Sequence, residues 1–484
     1  MPLRGRGSSA DPGRAGDPDE PMGRNPQGHR SSHDPAGSSR GDSTALQAFV
    51  LEIGRALSLA GTAVSETQDH LVQIAAANGV RNARVVVLPT TVIVALGRNR
   101  RATVEVIPQR TGALRLDQIS ALYEVVKQAE SGRLTSQDGL EQLRVIGAMR
   151  PRFGVAVTIL GHVLMTVALC LLLKPTLADL VAGAVLGVLV GGVALVSRGR
   201  HTLNVLTPVV AAVMVSTLTF LAVKHGIADL GLPVLIAPLV TFLPGAALTT
   251  ATVELASGEM IAGSSRVVFG GLQLLLLAFG IVAGAEIAGP VRADLLNDPD
   301  RQLLGWWAPW LGVLVFGLAA ALYFSAPRGA TRWLLLVLFV AWVGQLAGDR
   351  LVGATASGFC GALAMTPVAL AIARRPGRPP SQVTFLPAFW MLVPGALGLI
   401  GVTELVGKAS TLSSDDLVQP VATIVAIALG VLCGASVYRI GASGVGRGWQ
   451  RAMAKRRGRT LRRSGNRAEP SPGSTDVPST DRDS

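Results

Sequence analysis

The chain has 484 residues, 49% of them hydrophobic and only 15% charged, and it holds 56 glycines. This balance excludes an ordinary soluble enzyme and indicates a polytopic membrane protein whose soluble parts carry most of the charge. The formal charge of +13 does not indicate nucleic acid, because the basic residues sit in the tails and in short loops between apolar runs, where they report topology.

Residues 1–43 are rich in Gly, Pro, Ser, Asp and Arg and poor in large apolar residues. They cannot bury enough surface to offset the entropy of ordering, so a disordered tail is expected. They also lack the apolar core of a signal peptide. Residues 44–150 read as a small cytoplasmic α/β domain. Leu46, Phe49, Val50, Ile53 and Leu57 recur at helical spacing, and Gly61 stops the pattern. A second helix runs from Ser65 to Ala77 and ends at Asn78-Gly79, a favourable C-cap pair. RVVVLP (84–89), TTVIVALG (90–97) and RATVEVIP (101–108) read as strands, with GRNR turning between the last two. Two amphipathic helices follow, at 116–131 and 136–149.

From Phe153 onward ten apolar spans approach the roughly 20 residues needed to cross a bilayer: 153–173, 177–197, 203–223, 232–253, 267–289, 306–325, 331–347, 350–372, 382–406 and 418–438. Arg144, Arg150, Arg152, Arg198, Arg200, Arg328, Arg332, Arg374, Arg375 and Arg378 fall on one side, together with the basic run after the last span. The opposite loops carry Lys174, Lys224 and mostly aspartates. Both termini are therefore expected in the cytoplasm. The tail at 444–484 reads as disordered and basic, a positive flank that fixes orientation or meets anionic lipid. Cys170, Cys360 and Cys433 lie inside spans without ligand spacing, so no disulfide, metal or cofactor is expected.

One stretch occurs twice. TFLPGAALTTATVEL (241–255) and MLVPGALGLIGVTEL (391–405) align at an offset of 150, and the register continues from Ala278, Gly280, Gly284 and Ala285 onto Ala428, Gly430, Gly434 and Ala435. Two transmembrane repeats follow, at 153–289 and 303–438. Five spans per half is odd, so the second half enters the membrane from the opposite side, an inverted five-plus-five arrangement found in secondary transporters. Pro244-Gly245 and Pro394-Gly395 would each split a span into two half-helices. The free amides at such an end suit a carboxylate, and glycine admits close approach. Thr249 and Thr250 add hydroxyls on the first copy. A proline kink packed on small residues is the competing account. Glu254, Glu286 and Glu404 lie within or at the ends of spans, where a carboxylate either carries protons or is merely solvated by headgroups. His162, Gln273, Asn204 and Gln345 read as hydrogen-bonding links between helices.

The segment AGTAVSETQDHLVQIAAANGV (60–80), the strands after it and LPGAALTTATVEL…SGEMIAGSSRVVFG (243–270) resemble the bacterial threonine/serine exporter (ThrE) family, over about residues 45–440. The resemblance implies export of L-threonine and L-serine across the bacterial cytoplasmic membrane, driven by the proton motive force. Its partners would be a small amino acid, protons and the bilayer; a homo-oligomer is compatible with it. Some split relatives are linked to dicarboxylate (succinate) export, so membership leaves the substrate open. The family's N-terminal domain has been likened to hydrolases. Ser65, Glu66 and His70 share a helix here, but no G-x-S-x-G, H-E-x-x-H or P-loop is present. The reading is a transporter, not an enzyme; the alternatives are a dicarboxylate exporter and a membrane-anchored enzyme or regulatory protein whose N-terminal domain is catalytic.

Overall fold

The computed structural model describes residues 35–96, 103–108, 113–197, 201–289, 304–392 and 422–441. Helix α1 (Pro35–Leu59) buries Phe49, Val50, Ile53 and Leu57 completely, the face that the spacing marks. The chain turns at Gly61 (φ +76°) and enters α2 (Val64–Ala77), which stops at Asn78 with Gly79 at φ +85°, a conformation that glycine adopts without strain. Strands β1 (Arg84–Leu88), β2 (Thr91–Leu96) and β3 (Thr103–Pro108) form an antiparallel meander in that order. Leu88 pairs with Thr91, which leaves Pro89-Thr90 as a two-residue turn. Val85, Val87, Val92 and Val94 alternate inward and are buried. The GRNR turn, residues 1–34 of the N-terminal tail and the C-terminal tail at 444–484 lie outside the described residues; residues 35–43, expected in the disordered tail, instead form the start of α1. Helices α3 (Leu116–Glu130) and α4 (Ser136–Ala148) close this unit, and the Thr135 hydroxyl caps α4 by accepting the Asp138 amide hydrogen at 3.2 Å.

The apolar part is a bundle of helices: α5 (Val155–Leu172), α6 (Leu177–Ser197), α7 (His201–Lys224), α8 (Leu232–Ile236) with a 3-10 turn (Ala237–Phe242), α9 (Gly245–Ala256), α10 (Met260–Ala288), α11 (Ala308–Tyr323), α12 (Thr331–Leu351), α13 (Ala354–Ala373), α14 (Ser381–Met391) and α15 (Ala422–Gly441). Among the described residues seven helices are long and apolar enough to cross a membrane, and the bent run from Leu232 to Ala256 makes an eighth if it is one span. α11 is apolar but shorter, and α14 is described only to Met391.

Close glycine contacts set the helix pairing. Gly280 on α10 leaves no room for a Cβ between Ala212 and the Val209 carbonyl of α7; Gly284 sits likewise against Val213, Ser216 and Thr217. Gly430 on α15 lies against Phe359, Ala362 and Leu363 of α13, and Gly434 against Leu363, Thr366 and Pro367. Each contact in the second set is the first displaced by 150 residues. Even the hydroxyl bonds match: Ser216 donates to the Ala212 carbonyl at 2.8 Å and Thr366 to that of Ala362 at 2.7 Å. α5 and α11, which the same offset relates, run antiparallel against each other. Gly161 meets Leu322 and Tyr323, whereas Gly312 meets Ala168, Leu171 and Leu172.

The mixed helix-and-strand unit sits on one end of this bundle. The Leu116 amide donates to the Phe324 carbonyl at 3.0 Å, and Arg152 donates to the Ala326 carbonyl at 2.8 Å, just past the end of α11. Its buried residues form one apolar cluster with those of α5 and of α11 to α15, while α6 to α10 enclose a second cluster. The unit is therefore packed onto the bundle instead of hanging from it. At the far end Asp179, fully buried, accepts the amide hydrogens of Thr176 and Gly231, both at 2.8 Å.

Candidate functional site

The chain breaks where Pro244 interrupts it. The 3-10 turn ends at Phe242, Leu243 is extended, and α9 starts at Gly245, with a bend of 64° between the two pieces. Proline removes one amide hydrogen and cannot continue the preceding turn, but it fits a helix start. Pro244 and Gly245 are both buried. α10 packs beside the break through Gly270, which admits Leu248 and Pro244. The carbonyl of Phe242, freed by the break, accepts a hydrogen bond from Gln273 at 2.6 Å. Gln345 of α12 donates at 3.5 Å to the carbonyl of Leu392, the position equivalent to Phe242. Gln273 thus satisfies an orphan carbonyl that a broken helix leaves. Pro394, Gly395 and Glu404 lie outside the described residues.

The threonines divide. Thr249 is fully buried and donates to the Gly245 carbonyl at 2.9 Å, so its proton is committed to its own helix and only lone pairs remain for a ligand. Thr250 is half-buried. His162 is fully buried in α5, packed against Gly191 with its ring 5.7 Å from that of Tyr323.

Of the three carboxylates expected to handle protons, Glu404 lies outside the described residues, and Glu254 and Glu286 stand apart. Glu286 is exposed near the far end of α10. Glu254, at the near end of α9, is fully buried. Arg266, its ion-pair partner near the start of α10, lies 20 residues before Glu286, about 30 Å along the helix. Glu254 accepts the Arg266 guanidinium at 3.0 Å and the amide hydrogen of Val64 at 3.1 Å. Val64 opens α2, and its N-cap, Ala63, has no side chain that can cap. Glu254 therefore caps α2 from another part of the chain, placing negative charge on a helix N-terminus. It is neither a free carboxylate in hydrocarbon nor one solvated by headgroups. The sequence pattern gave no sign of this pairing, because Arg266 stands 12 residues away across a turn.

The same first turn of α2 reaches α14. Gln382 donates to Glu66 at 3.4 Å. Around this contact lie Tyr123, whose hydroxyl is 3.1 Å from that of Thr62, and His70, bonded to Glu130 at 2.5 Å. Burial alone would lower the His70 pKa, but the hydrogen bonds and charges of Glu130 and Glu66 outweigh it and hold it at about 9, so the ring is cationic at neutral pH. Burial raises the Tyr123 hydroxyl above its usual range, and the Glu66 charge adds to this. His70 is thus a charged, partly buried member of an ion-pair network, whereas its spacing in the sequence reads as plain surface. No serine hydroxyl is within hydrogen-bonding distance of it in that network, so the hydrolase-like constellation is not assembled.

Between the unit and the bundle lies a cavity of about 1060 Å³. One wall comes from α2 and α3 and carries Glu66, Asp69, Glu124 and Glu130; the other carries Arg328, Arg332, Arg374, Arg375, Arg378 and Arg439. Five of the arginines that the loop charges assign to a single side, Arg328, Arg332, Arg374, Arg375 and Arg378, gather around this space. Asp179, which a Thr-x-x-Asp capping box at 176–179 signals, and Arg266 and Gln382, which no motif signals, are the positioning residues that sequence reasoning missed.

Comparison with curated proteins gave no match, and neither did comparison with solved structures. Residues 48–288, from within α1 to the end of α10, match the family described as "Putative threonine/serine exporter" (ThrE), and the chain belongs to that family.

Proposed function

We propose that this protein is a secondary transporter exporting small hydroxy amino acids, L-threonine and L-serine, across the cytoplasmic membrane. The observation that carries the proposal is the family match, which takes in the helix-and-strand unit together with every helix up to α10. The break at Pro244-Gly245 and the packing repeated at an offset of 150 support two halves around a central site. In this reading ten spans form an inverted pair, 153–289 and 303–438, and residues 44–150 form a cytoplasmic domain with both termini on its side. The antiparallel contact of α5 with its equivalent α11 favours the inversion.

The substrate carboxylate would meet the amides at the start of α9 and their counterparts after Pro394-Gly395, with Thr249 accepting from the ammonium or hydroxyl group. Protonation of Glu254, Glu286 or Glu404 would couple export to the proton gradient; at Glu254 it would also weaken the hold on α2. The test is efflux of labelled threonine from cells loaded with a threonine-containing dipeptide, with and without the protein. Protein-dependent efflux that collapses with a protonophore is expected. Efflux of succinate but not of threonine or serine would replace the substrate class, and protein-independent efflux of all three would overturn transport.

A further inference from the structure

The six arginines of the cavity wall make no ion pair among the described residues, although acidic residues face them. Aromatic faces hold three of them in place. Arg378 and Arg332 lie 4.4 Å and 5.3 Å from the ring centre of Trp333, and Arg374 lies 4.9 Å from that of Tyr438. Stacking on a ring fixes a guanidinium by its face and leaves its N–H edge for a planar acceptor such as a carboxylate. Opposite stand Asp69, exposed, and Glu66, half-buried. The walls touch where Gln382 donates to Glu66 at 3.4 Å. Thr366 and Leu370 of α13, Phe385 of α14 and Val431 and Leu432 of α15 also line the cavity, so it adjoins the second half of the bundle.

We infer that this cavity is a capture site for a zwitterionic amino acid, whose carboxylate docks on Arg374 and Arg378 and whose ammonium group faces Glu66 and Asp69. Two walls of opposite charge that do not neutralise each other are bridged by a small molecule carrying both charges. Its volume is at the upper end of the roughly 300–1,000 Å³ of small-molecule sites, which suits a wet antechamber that concentrates substrate before the central site. This rests on the exporter reading for its choice of amino acid.

The experiment measures binding to the full-length protein in lipid nanodiscs by calorimetry, with L-threonine, 1-amino-2-propanol (no carboxylate), 3-hydroxybutyrate (no ammonium) and succinate. L-Threonine is expected to bind, and both singly charged analogues to bind about tenfold or more weakly, the usual loss of a charged hydrogen bond. Arg374→Gln with Arg378→Gln, and separately Asp69→Asn, should each weaken threonine by a similar factor. Asp69 is exposed, so its variant folds even if the arginine pair does not. Succinate or 3-hydroxybutyrate binding as tightly as threonine, or threonine binding unchanged in both variants, overturns the site. The dipeptide-efflux assay separates the two readings. Efflux and binding both unaffected by the variants leave the exporter standing and remove the antechamber. Charge-dependent binding without efflux removes the exporter and leaves the site.

Discussion

Replacing Glu254 by alanine should loosen the helix-and-strand unit from the bundle. The side chain is fully buried and meets two donors, the Arg266 guanidinium at 3.0 Å and the Val64 amide at 3.1 Å. Removing one partner of a buried pair costs about 3–5 kcal/mol. The Arg266 side chain is 21% exposed and water will take it up in part, which brings this to about 1–2 kcal/mol. Leaving the Val64 amide without an acceptor adds about 1 kcal/mol. The sum, about 2–3 kcal/mol, corresponds to roughly 30- to 160-fold faster exchange of the Val64 amide if that amide exchanges by local undocking. Glu254→Gln keeps a neutral acceptor and should lie between, at about fivefold. The assay is hydrogen exchange of a peptide covering 60–80 in the reconstituted full-length protein. Unchanged exchange in the alanine variant, with the rest of the protein still protected, would refute the capping role.

Three further outcomes are expected. His70 has its pKa raised to about 9, so the stability it contributes is complete below its unfolded value of about 6.5 and is lost as pH rises through 9; a shift of this size is worth about 3 kcal/mol at most, and melting of wild type against His70→Gln from pH 6 to 10 should show a slope that the variant lacks. Gly280→Ala and Gly430→Ala each push a methyl group against a backbone carbonyl of the neighbouring helix, so each should destabilise by about 1–3 kcal/mol, read as midpoint shifts in detergent; a neutral effect at both would contradict the close packing. Gln273→Leu leaves the Phe242 carbonyl buried without its donor and should cost about 1–3 kcal/mol, whereas a glutamine moved to the next turn should not restore it.

Much of this architecture was legible because its signals are local. Phe49, Val50, Ile53 and Leu57 mark α1 by period, Asn78-Gly79 ends α2 by backbone preference, and the PG dipeptide breaks its span for a reason intrinsic to proline. The offset of 150 was legible too, since the glycines it relates are those that let helices touch. What was not legible depends on distant pairing. Nothing near Glu254 in sequence says that it will cap α2, 190 residues earlier, and nothing near His70 announces Glu130. The roles of Gln273 and Gln345 were visible as links between helices, but not as donors to the carbonyls of Phe242 and Leu392.

The first turn of α2 holds Glu254, near the end of α9, through Val64, and Gln382, at the start of α14, through Glu66. Two points tied to one rigid turn keep a fixed separation, so the docked unit favours whichever state of the bundle has that separation. Thermodynamic reciprocity then applies: whatever shifts the bundle toward that state tightens docking by the same factor, and whatever binds the docked unit alone shifts the bundle. A probe attached on the exposed face of β1 around Val86 therefore becomes a gauge of the state of the helix bundle.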